Sequence, residues 1–143
     1  CMTNIGHFRA ASKIWDGFER NPDVRTYIVP PTKMDQEKLK AEGEYSKFNK
    51  VGARIEVPGC SICMGNQLRV PDGAIVFSTS TRNFNNRMGK GAQVFLGSAE
   101  MAAIVSVLKR IPTPDEYFEI YNTYVKPEES NIYRYLQFDE EYA

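Results

Sequence analysis

The chain has no net charge to spend: its 18 Lys and Arg residues are matched by 18 Asp and Glu. That balance excludes the global field expected of a nucleic-acid or membrane-surface binder. No apolar run is long enough to cross a bilayer. The first residues do not read as a signal peptide, because Cys1 leads directly into a polar, amphipathic segment. Internal repeats and low-complexity stretches are absent, as are phosphate-loop and dinucleotide motifs; Gly89-Lys90-Gly91 has the spacing of neither. Histidine and tryptophan occur once each. Acidic residues are missing altogether from Gly73 through Ala99. Cysteine is scarce, with 3 in the chain, an odd number that cannot all pair in disulfides. Without a secretion signal, a CxxC spacing reads as a metal or redox site in a reducing compartment, and we expect the cytoplasm.

What is present is ordinary for one globular domain: 143 residues, 42% hydrophobic and 25% charged. From Asn4 to about Arg20, Ile5, Phe8, Ala11, Trp15 and Phe18 recur at helical spacing. Val24 to Val29 reads as a strand stopped by Pro30-Pro31, and Met34 to about Asn49 as helix divided at Gly43. Ala53 to Val57 alternates as a strand does. Ala74 to Phe77 is expected to be a fully buried strand, with another from Ala92 to Leu96. Ser98 should cap a helix carrying Met101, Ile104, Val105 and Leu108 on one face. Thr113-Pro114-Asp115-Glu116 is a capping box with proline in the first turn, opening a last helix to about Val125. The tail after Pro127 is aromatic and acidic, and the pattern assigns it no element.

Strands alternating with helices predict an α/β fold, a layered α/β/α domain with a mostly parallel sheet. Ligands collect at the carboxyl ends of such strands. Cys60 and Cys63 follow the strand ending at Val57, and Arg82 follows the strand running through Phe77. Cys1 would sit after a strand upstream of it, so these residues are expected to meet on one sheet edge. A first residue that is cysteine rather than methionine reads as a piece of a longer polypeptide, residues 1–143 forming one domain or part of one.

The cysteines carry the strongest chemical signal. Pro58-Gly59-Cys60-Ser61-Ile62-Cys63 supplies a close pair, and Cys1 a third thiol. Three thiolates would hold three irons of a cubane cluster and leave the fourth open to substrate, the arrangement of a Lewis acid rather than an electron carrier. Gly59 and Gly65 allow backbone to approach a bulky cofactor. The residues alone leave other readings open: a redox dithiol, two buried thiols, or a Cys₃His zinc site made by Cys1, Cys60, Cys63 and His7. A lone helical histidine is more often a surface or capping residue. The second element is Ser78-Thr79-Ser80-Thr81-Arg82-Asn83-Phe84-Asn85-Asn86-Arg87-Met88-Gly89. Two arginines in a loop of small polar residues suit bidentate recognition of carboxylate or phosphate, although a solvated basic loop has the same composition.

Cys1-Met2-Thr3-Asn4, Pro58 through Asn66 and Thr81-Arg82-Asn83-Phe84-Asn85-Asn86-Arg87 together resemble, in order and spacing, the aconitase superfamily. The likeness is to the C-terminal part of its bacterial B-type branch and covers essentially the whole chain. It implies that Cys1, Cys60 and Cys63 ligate a [4Fe–4S] cluster and that Arg82 and Arg87 hold substrate carboxylates. The implied activity is the aconitate hydratase lyase step of the tricarboxylic acid cycle, interconverting citrate and isocitrate through cis-aconitate. Two departures stand out: Thr81 where many aconitases have Asn, and Asn86 where they usually have Gly. The family's serine base and its acid–base histidines lie in other domains, so no catalytic residue is assigned to this chain, and the isolated chain is expected to be inactive. Related hydro-lyases of the homoaconitase or isopropylmalate isomerase type share the cluster motifs. Some cluster-free aconitases bind messenger RNA, and the acid-free segment could serve that role in the parent protein, although a neutral chain argues against it. A zinc-stabilised structural domain is the remaining alternative.

Overall fold

The fold is described from a computed structural model over residues 3–19, 21, 23–59 and 69–134. Helix α1 (Ile5–Asp16) opens the chain. Strand β1 (Tyr27–Ile28), helices α2 (Lys33–Ala41) and α3 (Glu44–Lys50) and strand β2 (Arg54–Ile55) follow. Strands β3 (Ile75–Ser78) and β4 (Gln93–Leu96) come next. Helices α4 (Ala99–Leu108) and α5 (Pro114–Tyr124), a 3₁₀ turn at Lys126–Glu128 and helix α6 (Glu129–Ile132) complete the order. Among the described residues no helix is long and apolar enough to cross a membrane.

The expected α/β character and parallel pairing are both present. Tyr27 and Ile28 pair with Arg54 and Ile55, and Ile75 through Ser78 pair with Gln93 through Leu96, parallel in both cases. Among the described residues these are two separate two-stranded sheets. The first is shorter than the periodicity predicts. Pro30-Pro31 and Pro58 interrupt the ladder, although single bonds continue from the Glu56 N–H to the Ile28 carbonyl and from the Gly59 N–H to the Pro30 carbonyl. Strand β3 is not fully buried as expected: Ile75 is 76% exposed and its neighbours are half-buried. No second layer among the described residues covers that face, whereas parallel sheets are normally covered on both sides.

Helix α1 is the hub, packing against α2, α3, α4, α5 and α6. Its buried face is Ile5, Ala10, Ala11, Ile14 and Trp15, and it stops at Gly17, earlier than the expected Arg20. Phe18 has by then turned back onto Tyr124, with ring centroids 5.4 Å apart. Trp15 meets Phe48 of α3 edge-on at 5.8 Å and donates its indole N–H to Ser106 Oγ of α4 at 2.8 Å. One side chain thus fixes three helices. The predicted division of the second helical stretch is real: Gly43 has φ +79, a left-handed conformation that favours glycine. Both predicted caps also form, Ser98 Oγ accepting from the Met101 N–H and Thr113 with Glu116 making the reciprocal box. The Arg110 guanidinium beside Glu116, helped by the Thr113 N–H, holds that carboxyl down at about 2.

The tail is tied back to α1. Buried Arg9 grips Glu42 at 2.8 and 2.5 Å and donates from Nη1 to the carbonyls of Ile132 and Arg134 at 3.3 and 2.6 Å. Tyr133 donates to Glu100 at 2.5 Å, and burial, then that carboxylate, pushes its hydroxyl well above the usual range, so it stays a donor. Phe48, which is fully buried, is the ring on which α1 and α3 meet. Phe48→Ala should destabilise the fold by about 3–5 kcal/mol, read as a lowered denaturant midpoint.

Candidate substrate and cofactor site

Parallel strands need a crossover of a dozen or more residues, usually a helix. Between β3 and β4 the crossover, residues 79–92, is instead built from turns, and it carries both arginines singled out from the sequence. It leaves the carboxyl end of β3 through two short polar turns, Ser80 N–H to Ser78 Oγ at 3.1 Å and Arg82 N–H to Ser80 Oγ at 3.2 Å. The small polar residues of this stretch are therefore turn-formers. Asn83 then hooks the loop to β4, donating from Nδ2 to the Val94 carbonyl at 3.0 Å.

The loop next reverses. The Arg87 N–H donates to the Phe84 carbonyl at 3.2 Å, and Asn86 sits at φ +60. Asn86 Oδ1 accepts from the Gly91 N–H at 2.8 Å, closing residues 86–91. Beneath them runs the segment leading into β3, with the Val70 N–H on the Met88 carbonyl at 2.8 Å and the Gly73 N–H on the Lys90 carbonyl at 2.9 Å. Gly89 is required by this contact, because a Cβ there would stand 2.6 Å from the Val70 carbonyl oxygen. The two arginines consequently differ. Arg82 is exposed at the carboxyl end of β3, and Arg87 is 2% exposed within the closed part of the loop. Arg82, Arg87 and Lys90 belong to this loop and Arg69 Nη1 donates to the Asn86 carbonyl at 3.5 Å, with Asp72 the only acidic residue in residues 69–91.

Cys1, Cys60 and Cys63 lie outside the described residues, which begin at Thr3 and, around the close pair, stop at Gly59 and resume at Arg69. Strand β2 leads out through Pro58 to Gly59, whose N–H donates to the Pro30 carbonyl at 3.1 Å just beyond β1. Gly59 thus lies just beyond the carboxyl ends of β1 and β2. Asn4 caps α1. The arginine loop springs from the second of the two described sheets. Among the described residues no group of three or more His, Cys, Asp or Glu is placed to hold a metal ion.

His7 has a specific task. Its Nδ1 accepts the Asn4 N–H at 2.9 Å while Asn4 Oδ1 accepts from the Gly6 N–H at 2.9 Å, a capping box with histidine in the place usual for Glu or Gln. Nδ1 must then be unprotonated with the proton on Nε2. A metal on Nδ1 would take the accepting lone pair, and a metal on neutral Nε2 would move the proton to Nδ1, against the Asn4 N–H. Zinc ligation and this cap exclude one another. Asn86 is the residue whose importance the sequence signalled only obliquely, as a departure from glycine; asparagine is the commonest alternative at a left-handed position.

The family described as aconitase (aconitate hydratase) matches over residues 1–108. Aconitate hydratase B of Synechocystis sp. is 60% identical over 140 residues, covering 98% of this chain and 16% of that protein. Aconitate hydratase B of Escherichia coli is 56% identical with the same coverage. The homoaconitase large subunit of Thermus thermophilus is 36% identical over 117 residues, 80% of this chain and 28% of that protein. The chain thus spans 16% of the length of the aconitate hydratases it matches.

His7→Ala should weaken the α1 cap by about 0.5–2 kcal/mol while leaving the metal content of the protein unchanged. His7→Gln should recover most of the stability, because glutamine suits the same cap; loss of bound metal in both variants would reinstate histidine as a ligand.

Proposed function

Since the chain belongs to the aconitase family, we propose that it is the cluster-holding and carboxylate-binding part of an aconitate hydratase that interconverts citrate and isocitrate through cis-aconitate. The observation that carries this reading is the pairing of a three-cysteine donor set with an acid-free crossover loop bearing Arg82 and Arg87. The identity of 60% and 56% to aconitate hydratases B, against 36% to a homoaconitase subunit, favours citrate and isocitrate over the related substrates.

Cys1, Cys60 and Cys63 would hold a [4Fe–4S] cluster; thiolates are the donors such clusters take, and three of them fit a cubane with one open iron. When bound, the cluster supplies a Lewis acid for the substrate hydroxyl. Arg82, exposed at the carboxyl end of β3, offers a fork of N–H donors to a substrate carboxylate. Arg87, held in the closed half of the same loop, adds a fixed positive charge in a low-dielectric setting, where its attraction for a carboxylate is stronger than in water. Binding two carboxylates rigidly aligns the C–H and C–OH bonds for elimination and lowers the entropic part of the barrier. The proton-abstracting base would come from outside these residues, which span 16% of the length of the aconitate hydratases they match, so the 143-residue chain alone would not turn over substrate. A cluster held by thiolates would suit a reducing compartment, and the proposed one is the cytoplasm.

Full-length protein prepared without oxygen should be brown and contain iron and acid-labile sulfide, and Cys60→Ser should lose most of both. Colourless protein holding one zinc would overturn the reading. With the cluster loaded, Arg82→Gln should lower kcat/KM for isocitrate by about 10–100-fold, the worth of one charge-assisted carboxylate contact.

A further inference from the structure

We infer that Asn86 is a positioning residue for the arginine pair: its left-handed backbone and its side-chain bond to Gly91 aim Arg87 toward the substrate carboxylate. The inference rests on the carboxylate-clamp reading and adds to it the device that sets the clamp. Arg82 and Arg87 are separated by a reversal of the chain, and the reversal occurs at Asn86, which alone in this loop combines a side chain with a positive φ, +60. The backbone torsions of Asn86, together with the φ of Arg87, set the direction in which the Arg87 Cα–Cβ bond leaves the chain. Asn86 Oδ1 then takes the Gly91 N–H at 2.8 Å, so that residues 87–90 form a loop closed at its base. The Met88 and Lys90 carbonyls, each accepting an N–H from the segment before β3, hold the inner side of that loop. Arg87, Met88 and Gly89 are buried as a result, while Arg82 stays exposed on the far side of the turn.

Two separable properties of asparagine are in use. Its tolerance of the left-handed region is shared by glycine and denied to alanine, whose Cβ strains there. Its acceptor oxygen is shared by neither. Glycine should therefore be the milder replacement and alanine the more damaging one.

The test uses the full-length, cluster-loaded protein, with KM for isocitrate and calorimetric Kd for tricarballylate, a tricarboxylate lacking the hydroxyl. Asn86→Gly should raise both about threefold and Asn86→Ala about tenfold, with kcat per loaded cluster changed less than about twofold. A merely structural role would lower the thermal midpoint and the loaded fraction but leave KM and Kd where they were. Arg87→Lys is the control for the underlying reading. If it raises Kd while Asn86→Ala does not, the positioning role is overturned and the clamp stands. If Arg87→Lys also leaves Kd unchanged, the clamp reading falls and the positioning role with it.

Discussion

Trp15 is the side chain on which the arrangement of helices depends. Its ring edge rests on Phe48 and its indole N–H is held by Ser106, so the positions of α1, α3 and α4 are set by one residue. A buried tryptophan needs a partner for its N–H, and the partner found here lies on a helix far along the chain. The same helix α1 is gripped from its other end by Arg9, whose guanidinium joins Glu42 to the carbonyls of Ile132 and Arg134. The chain's first helix is thereby fixed to α2 and to the tail. Asn4, three residues after Cys1, caps that helix.

The candidate site obeys a different constraint, the need to return from the top of β3 to the bottom of β4. A helix would satisfy the backbone's hydrogen bonds automatically. This crossover uses asparagine and serine side chains instead, at Ser78, Ser80, Asn83 and Asn86, each bonding a backbone group. The gain is that consecutive stretches of one loop can differ in exposure, presenting one arginine at the strand end and enclosing another. For a ligand with several carboxylates, two cations of different burial on one loop would provide orientation as well as attraction. Ile75, Phe95 and Leu96 leave an exposed apolar face on β3 and β4.

Local signals in the sequence translated well where a single residue's conformation decides the outcome. Gly43 splits a helical stretch because only its φ is free to turn positive, and Thr113 with Glu116 closes a box within four residues. The likeness to aconitases, read from the cysteine and arginine blocks, is borne out by the family match. The strands were less legible. Val24 to Val29 has the composition of a strand, but pairing extends only over Tyr27 and Ile28, because strand length is a property of the partner as much as of the sequence. Ala74 to Phe77 looks fully buried by hydropathy, yet the face bearing Ile75 meets no covering layer among the described residues. His7 could be read as a ligand or a cap, and only the contact of its Nδ1 with Asn4 chose between them.

Residue type and spacing settled the α/β class and the helix caps, and the resemblance of the cysteine and arginine blocks pointed to the family. These are local or compositional properties, fixed by what each residue can do over a few neighbours. Tertiary structure decided the rest: that α1 is the hub, that Arg82 is exposed while Arg87 is buried, that the strands form two short parallel pairs, and that Asn86 occupies a left-handed turn closed by Gly91. Each of these depends on contacts between residues distant in the chain or on a loop's closure, and no periodicity in the sequence encodes them.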